Sequence, residues 1–218
     1  MLGLLYFYTM DKLKYFGAFS ILILPILLRG QNLVLNPSFE EHTDCPTLDI
    51  NVGTYTGMDI VVDWYTPTSS TDYFHVCGDD SFGVPNNFSN SFQYARTGDA
   101  YVGGVLAVEE ALPRSDVAEY VQGTLMSPLL QDSFYYVEVF INLRDGSGKA
   151  TDRFGVLFTD TLLYTPWAIE DVGRSIMLKY KPQLENSTGN YIDDTENWVP
   201  LRWVYKANGA EQFFTMGA

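Results

Sequence analysis

The sequence has few of the residues on which most enzymes and metal proteins rely. Its 218 residues include two cysteines and two histidines, and 13 Lys and Arg stand against 27 Asp and Glu. It has no Gly-x-Ser-x-Gly element, no HExxH motif and no phosphate-binding glycine loop. These absences argue against the common hydrolase, metalloprotease and nucleotide-binding classes. The net charge of −14 excludes nucleic-acid binding, because phosphate backbones repel such a surface.

The two cysteines, Cys45 and Cys77, predict a disulfide. An isolated pair in an exported chain is more often a disulfide than two free thiols. A metal site is disfavoured, because only His42 and His75 could join the two sulfurs. A catalytic thiol would need a partner that activates it, and the sequence offers none beyond those histidines.

No apolar run reaches the roughly 20 residues that a membrane-spanning helix needs. The longest, Tyr15–Leu28, follows the basic residues Lys12 and Lys14, which is the layout of a secretory signal peptide. We therefore expect residues 1–30 to be a signal peptide and residues 31–218 to form one mature domain without a membrane span. The mature chain would then be exported from the cytoplasm. One alternative is a shorter signal that begins at Met10; the others are a buried core helix or an uncleaved anchor.

What the sequence has in abundance is aromatic residues and strand patterns. It contains 15 Tyr and 14 Phe, and aromatic side chains favour strands. The segment Phe134–Leu143 alternates with a period of two, which predicts a half-buried strand with Tyr135, Val137, Val139 and Ile141 on one face. Many short strands with regular turns indicate an all-β sandwich or barrel. Further predicted strands are NLVL, DIVVDWY, SFQYARTG, AYVGGVLA, EYVQGTLM, RFGVLFTD, LRWVYKA and EQFFTM.

Several motifs occur in a characteristic order along the chain. They are NLVLNPSFEEHTDCP, DWYTPTSSTDYFHVC, VPNNFSNSFQYARTGDAYVGG, AEYVQGTLMSPLLQDSFYYVEVFINL and NWVPLRWVYKANGAEQFFTMG. This set resembles the exported N-terminal module of Bacteroidota cell-surface proteins, which often precedes an OmpA-like domain or a sorting tail. That family is similar to galactose-binding-like carbohydrate-binding modules. The resemblance implies an antiparallel jelly-roll β-sandwich and a glycan or envelope component as partner.

The last strand of such a jelly roll does not follow the segment FFTMGA, in which the sequence ends. Either the sequence is truncated, or the closing strand is absent or supplied from elsewhere.

The resemblance also implies a structural calcium ion. In the related modules, a carboxylate at the position of Glu40 helps to hold calcium, and Asp99 would lie at the same sheet edge. Calcium takes six to eight oxygen ligands, which carboxylates and backbone carbonyls provide. The alternative is a solvated acidic edge without an ion.

Two loop-rich stretches combine aromatic rings with planar hydrogen-bonding side chains, as sugar sites do. A pyranose offers an apolar C–H face and a rim of hydroxyls, and both features find partners in these stretches. The alternative is that the rings pack in the core beside the disulfide. The predicted ligand-binding residues are Trp64, Asp72, Tyr73, Asn86, Gln93 and Arg96.

We therefore expect a non-catalytic module that binds a glycan or serves a structural role in the bacterial envelope. The alternative function is a secreted glycan-directed hydrolase on a jelly-roll scaffold. Such an enzyme needs two carboxyl groups about 5–9.5 Å apart, and the sequence alone does not reveal a pair of this kind.

Overall fold

The protein is built from strands in the parts of the chain that its computed structural model describes. These are residues 2–10, 30–49, 54–55, 57–67, 71–88, 91–106, 118–164 and 180–217. Within these ranges the one helical turn is a 3-10 turn at Met58–Ile60, so none of the described residues form a helix that could span a membrane. The strands are β1 (Leu2–Met10), β2 (Leu48–Asp49), β3 (Thr54–Tyr55), β4 (Trp64–Tyr65), β5 (Asp72–His75), β6 (Ala100–Gly103), β7 (Val121–Thr124), β8 (Phe134–Ile141), β9 (Gly155–Thr159), β10 (Leu184–Glu185), β11 (Val199–Lys206) and β12 (Phe213–Gly217).

Ten of these strands form two five-stranded sheets in which all the pairings are antiparallel. The first sheet has the order β11-β8-β1-β6-β5, and the second has the order β10-β9-β12-β7-β4. The remaining two strands, β2 and β3, pair with each other. The predicted all-β class with antiparallel sheets is confirmed.

Strand β8 carries the alternation that its sequence predicts. Tyr135, Val137, Val139 and Ile141 are buried in the main core. On the adjoining strand β11, Leu201 and Tyr205 are buried, whereas Arg202 and Lys206 are exposed. Because successive side chains of a strand point to opposite faces, this pattern places one face of the first sheet on the core.

One hydrophobic cluster joins the two sheets. It includes Val102 and Val139 from the first sheet and Val156 and Phe214 from the second, and all four side chains are fully buried. The rings of Phe158 (β9) and Tyr205 (β11) stack across the sheets at a centroid distance of 4.3 Å. The core therefore lies between the two sheets, and we call the opposite face of the first sheet its outer face.

The turn between β11 and β12 is held by a buried carboxylate. Glu211 accepts hydrogen bonds from the Tyr205 hydroxyl and from the backbone N–H groups of Asn208 and Gly209, each at 2.7 Å. Burial raises the pKa of Glu211, but these hydrogen bonds outweigh burial and hold it below its ordinary value. The ionised carboxylate thus replaces backbone partners at the Asn208-Gly209 turn that the sequence indicates.

Some sequence expectations differ from the structure or lie outside its described ranges. The stretch SFQYARTG is a loop rather than a strand, with an isolated bridge between Asn86 and Phe92. Strand β1 comes from the predicted signal peptide, whereas the apolar run Tyr15–Leu28 lies outside the described residues. Residues 107–117 and 165–179 also lie outside them.

Candidate functional site

The motif NPSFEE forms a tight loop organised by Asn36. The Asn36 side-chain amide donates to the backbone oxygens of Glu41 and Val62, and its Oδ1 accepts from the Glu41 N–H. Asn36 and Phe39 have positive φ angles of 46° and 65°. Asparagine adopts this left-handed conformation more readily than most residues, which gives the motif its sharp reversal. The loop directs Phe39 into the core and Glu40 towards β6.

Trp64 and Tyr73, two of the predicted ligand-binding residues, lie in the core next to this loop. Trp64 is 2% exposed, its indole N–H donates to the Asn36 oxygen at 2.8 Å, and its ring packs on Phe39 at 4.5 Å. Tyr73 is fully buried, and its hydroxyl donates to the Phe39 oxygen at 2.9 Å. Neither ring offers a free face to a sugar, so the alternative of core packing describes both residues.

Cys45 and Cys77 form the predicted disulfide, with their Cα atoms 5.6 Å apart. The bridge ties the segment after the NPSFEE loop to the turn that follows β5. Around it, the His75 Nδ1 accepts the Cys77 N–H at 3.0 Å.

The predicted metal residues Glu40 and Asp99 do lie close together. Ligand atoms of Glu40, His75 and Asp99 all fall within 4.8 Å of one another, and the rings of His42 and His75 are 4.5 Å apart. Glu40 Oε1 already accepts the backbone N–H groups of Asp99 and Ala100, at 2.9 and 3.2 Å. The carboxylate of Glu40 therefore fastens the opening loop to the start of β6.

The side chains of this cluster do not by themselves form a calcium site. Within the described part of the chain, the cluster combines two carboxylates with an imidazole, whereas calcium takes six to eight oxygens. A metal-bound histidine usually donates its other ring N–H. The His75 Nδ1 instead accepts the Cys77 N–H, so the neutral ring carries its proton on Nε2. Calcium at Glu40 and Asp99 stays a prediction, which melting curves with and without calcium test.

The same geometry predicts that the stability of the protein depends on the protonation of His75. Burial, and then the neighbouring His42, lower the pKa of His75, although Glu40 and Asp99 oppose this effect. A protonated ring would turn an N–H towards the Cys77 N–H. A base with a depressed pKa stabilises the fold fully above its unfolded pKa of about 6.5, and this contribution is lost as the pH falls through the folded value. We expect the melting temperature to fall between pH 7.5 and 5.

In the variant His75→Asn the drop in melting temperature should be smaller, because the amide oxygen can accept the Cys77 N–H but does not titrate. His42→Asn is the comparison variant: it removes a neighbouring charge that lowers the pKa of His75 but leaves the acceptor of the Cys77 N–H in place, so it should reduce the fall less than His75→Asn does. Thermal melts over the pH series measure the effect. A pH profile of His75→Asn that matches the unsubstituted protein would contradict this account.

A second aromatic cluster covers the outer face of the first sheet. Phe74 stacks on Tyr101 at 5.0 Å, and Phe82 packs on Phe74 at 5.9 Å; all three are buried. Burial, the largest effect, raises the pKa of Tyr101, whose hydroxyl accepts a hydrogen bond from the Asn87 amide at 3.0 Å. We call Phe74, Phe82 and Tyr101 the outer aromatic cluster. Phe82 comes from the loop after β5, and the other two residues lie on the outer face of the sheet.

At the margin of this cluster, aromatic rings reach solvent. Phe88 is 54% exposed and lies parallel to Phe74 at 6.2 Å. Phe92 and Tyr94 are also at least half exposed and meet edge to face at 5.2 Å. The Phe92 N–H donates to Asp145, so this aromatic loop adjoins the loop after β8.

A cleft of about 530 Å³ opens between these loops. We call it the polar cleft. Phe74 and Phe88 form its aromatic wall. Its charged lining residues are Asp72, Glu119, Arg144, Lys149 and Arg153.

The hydrogen bonds around Phe88 fix the position of the aromatic wall. The Phe88 N–H donates to the Ser81 oxygen at 2.9 Å, and the neighbouring Asn87 binds Tyr101 through its side chain. On the opposite wall, the Asn142 amide donates to the oxygens of Asp194 and Asn197. Both walls are therefore held by the body of the protein, as in preformed ligand sites.

The remaining predicted ligand residues lie in different places. Asp72 lines the polar cleft. Asn86 is next to Phe92, with which it forms the isolated bridge, whereas Gln93 is buried and its amide donates to the Tyr94 oxygen. The Arg96 guanidinium lies 3.4 Å above the Phe140 ring on the outer face, where cation–π attraction holds it.

The sequence analysis did not predict that Phe88, Phe92 and Tyr94 are exposed. They stand in the stretch VPNNFSNSFQYAR, in which aromatic residues alternate with polar ones. The signal was available: large rings embedded in a polar, loop-forming segment have no continuous apolar face to join. The contributions of Arg144 and Lys149 to the polar cleft depend on how distant loops fold together, and no local sequence pattern predicts them.

Another cleft, of about 690 Å³, lies beside the second sheet. Its lining includes the exposed Tyr180 and Lys181, together with the buried Tyr120 and Phe154. It presents one exposed aromatic ring and has none of the predicted ligand residues in its lining. The polar cleft is therefore the better candidate site.

No protein-family model, no curated protein and no solved structure matches this chain, so the family resemblance of its sequence depends on the ordered motifs alone.

Proposed function

We propose that this chain is an exported, non-catalytic jelly-roll β-sandwich module of the bacterial envelope, which binds a glycan in the polar cleft. Two antiparallel sheets around one core agree with the sandwich architecture. The Cys45–Cys77 disulfide agrees with an oxidising compartment, namely the periplasm, the outer-membrane surface or the extracellular space.

The observation that carries the binding proposal is the half-exposed ring of Phe88 in a cleft lined by charged groups. An exposed aromatic face matches the apolar C–H face of a pyranose. Asp72 provides hydrogen-bond acceptors, while Arg144 and Lys149 provide donors. Sugar hydroxyls need both kinds of partner, and their convergence on one concave surface is typical of a binding site.

A glycan array probed with the full chain, with and without calcium, tests the proposal. Calorimetry should then show that Phe88→Ala weakens the binding of any glycan found by at least tenfold, which is about 1.4 kcal/mol. The matched control is Tyr164→Ala, because Tyr164 is 78% exposed and is not a lining residue of the polar cleft. The glycan affinity of this control variant should be unchanged.

Thermal melts separate loss of the site from loss of the fold. Phe88 is half exposed, so its removal should weaken glycan binding strongly while it changes the melting temperature of the protein only slightly. Unchanged affinity in Phe88→Ala, or equal losses in both variants, would contradict the assignment of the site.

A secreted glycan hydrolase is the second candidate, because the carboxylates of Asp72 and Glu119 line the same cleft. One of these carboxylates already has a structural role, since Glu119 Oε2 accepts the Val105 N–H at 2.8 Å. Reducing-end assays on the glycans that bind would decide between the candidates. Turnover that is abolished by Asp72→Asn and Glu119→Gln, with binding retained, would favour the enzyme.

A further inference from the structure

The middle position of the first sheet is filled by a segment that export would remove. Strand β1 pairs with β8 at seven register positions, from Leu2 opposite Ile141 to Met10 opposite Phe134. It pairs with β6 at one position, Leu2 opposite Val102. Cleavage near residue 30 would separate β1 from the domain, so this inference rests on the export that is part of the proposed function.

Among the described strands, β1 is the one link between the two halves of this sheet. In the first sheet β11 pairs with β8 on one side, and β6 pairs with β5 on the other. Without β1, the edge of β8 would lose its partner at seven register positions, and β6 would lose its one pairing at Val102. Such open edges recruit strands from other chains.

The two strands that face this position carry fully buried apolar side chains. Val102, Val137 and Val139 lie on the two facing strands and are fully buried. Leu5 and Phe7 stand at the register positions opposite Val139 and Val137. An occupant that extends this apolar face needs apolar residues at the same alternate positions, because directly opposed residues share a face of the sheet.

We propose that the position between β6 and β8 is a strand-acceptor site, which Leu2–Met10 fills in the unprocessed chain and an antiparallel strand of a partner protein fills after export. The partner strand has about nine residues, like β1 itself, no proline, and apolar side chains at alternate positions. A second copy does not supply it, because export removes residues 2–10 from every copy.

Two further stretches of the sequence, both outside the described residues, are unsuitable occupants. Residues 107–117 contain Pro113 together with Glu109, Glu110 and Asp116. Residues 165–179 contain Pro166 and interleaved charges. Proline lacks the N–H that a central strand must donate, and charged groups opposite the buried valines would lose their hydration.

The test begins with the full chain, made with its disulfide in an oxidising cytoplasm and carrying a specific protease site within residues 16–24. After cleavage, the N-terminal fragment is separated in denaturant without reduction. The remaining chain is then refolded with a fluorescein-labelled peptide of residues 2–10. The control peptide has the change Phe7→Pro, because proline disfavours a central strand.

We expect the parent peptide to bind at least tenfold more tightly than the control and to restore the melting temperature of the uncut chain. Amide exchange of β8 should slow in the same mixture. Recovery of the uncut melting temperature without any peptide would overturn the proposal, and so would equal binding of both peptides.

The readouts also separate this proposal from the proposed function. Peptide binding does not require export, and export is followed independently by the mass of the secreted chain. A secreted chain that retains residues 2–10 would contradict the processing step and leave the peptide result unaffected. Failure of the glycan array likewise has no bearing on strand exchange.

Discussion

Replacement of Trp64 by alanine is expected to destabilise the protein by about 3–5 kcal/mol, the range for removal of a buried tryptophan. Trp64 is 2% exposed, and its ring contacts Phe39 and meets Phe214 edge to face at 5.5 Å. The substitution leaves a cavity between the NPSFEE loop and the second sheet. It also leaves the Asn36 oxygen without the indole N–H that it accepts, which adds about 1–3 kcal/mol where water cannot replace the donor.

Thermal or denaturant unfolding of Trp64→Ala measures this loss. For a protein of this size we expect a drop in melting temperature on the order of 10 °C. The matched control is Tyr65→Ala on the same strand, because Tyr65 is 42% exposed and should change stability by about 0.5 kcal/mol or less. If Trp64→Ala kept its stability but lost glycan binding, Trp64 would belong to the ligand site and our assignment to the core would be wrong.

Removal of the disulfide is expected to have the second large effect. The bridge closes a loop between residues 32 positions apart, and the chain-entropy model assigns it about 3–4 kcal/mol. The double variant Cys45→Ala/Cys77→Ala should therefore unfold at a clearly lower denaturant concentration. The loss should be concentrated around the NPSFEE loop and the turn after β5, which the bridge joins.

The unsubstituted protein under reducing conditions provides the control for this prediction. It should melt close to the double variant, whereas a reductant should leave the melting temperature of the double variant unchanged. If the double variant were as stable as the oxidised protein, the bridge would not contribute to the stability of the folded domain.

The sequence predicts the strands well where one face is buried and the other is not. The period of two in Phe134–Leu143 marks β8 because water and core impose opposite demands on alternate residues. The same reasoning fails for SFQYARTG, in which Phe92 and Tyr94 alternate with polar residues although the segment is a loop. There the rings lie over the outer face of the sheet, and tertiary packing rather than strand pairing determines their exposure.

The candidate site was predictable only in part, because its residues come from loops that are distant in sequence. The two cysteines identify the disulfide by their number alone. Trp64 and Tyr73 are aromatic residues in a polar stretch, and the sequence does not indicate that the Asn36 and Phe39 oxygens satisfy their polar atoms in the core. The pairing of β1 with β8 is even harder to predict from the sequence, because the apolar composition of residues 2–10 suits a leader as well as a strand.

The most direct test of the binding site is an NMR titration of the ¹⁵N-labelled protein with a glycan that the array identifies. We expect the largest amide shifts on residues of the polar cleft, led by Phe88 and Arg144, and little change at Trp64 and Tyr73. Shifts centred on the cleft beside the second sheet, around Tyr180 and Lys181, would contradict this expectation.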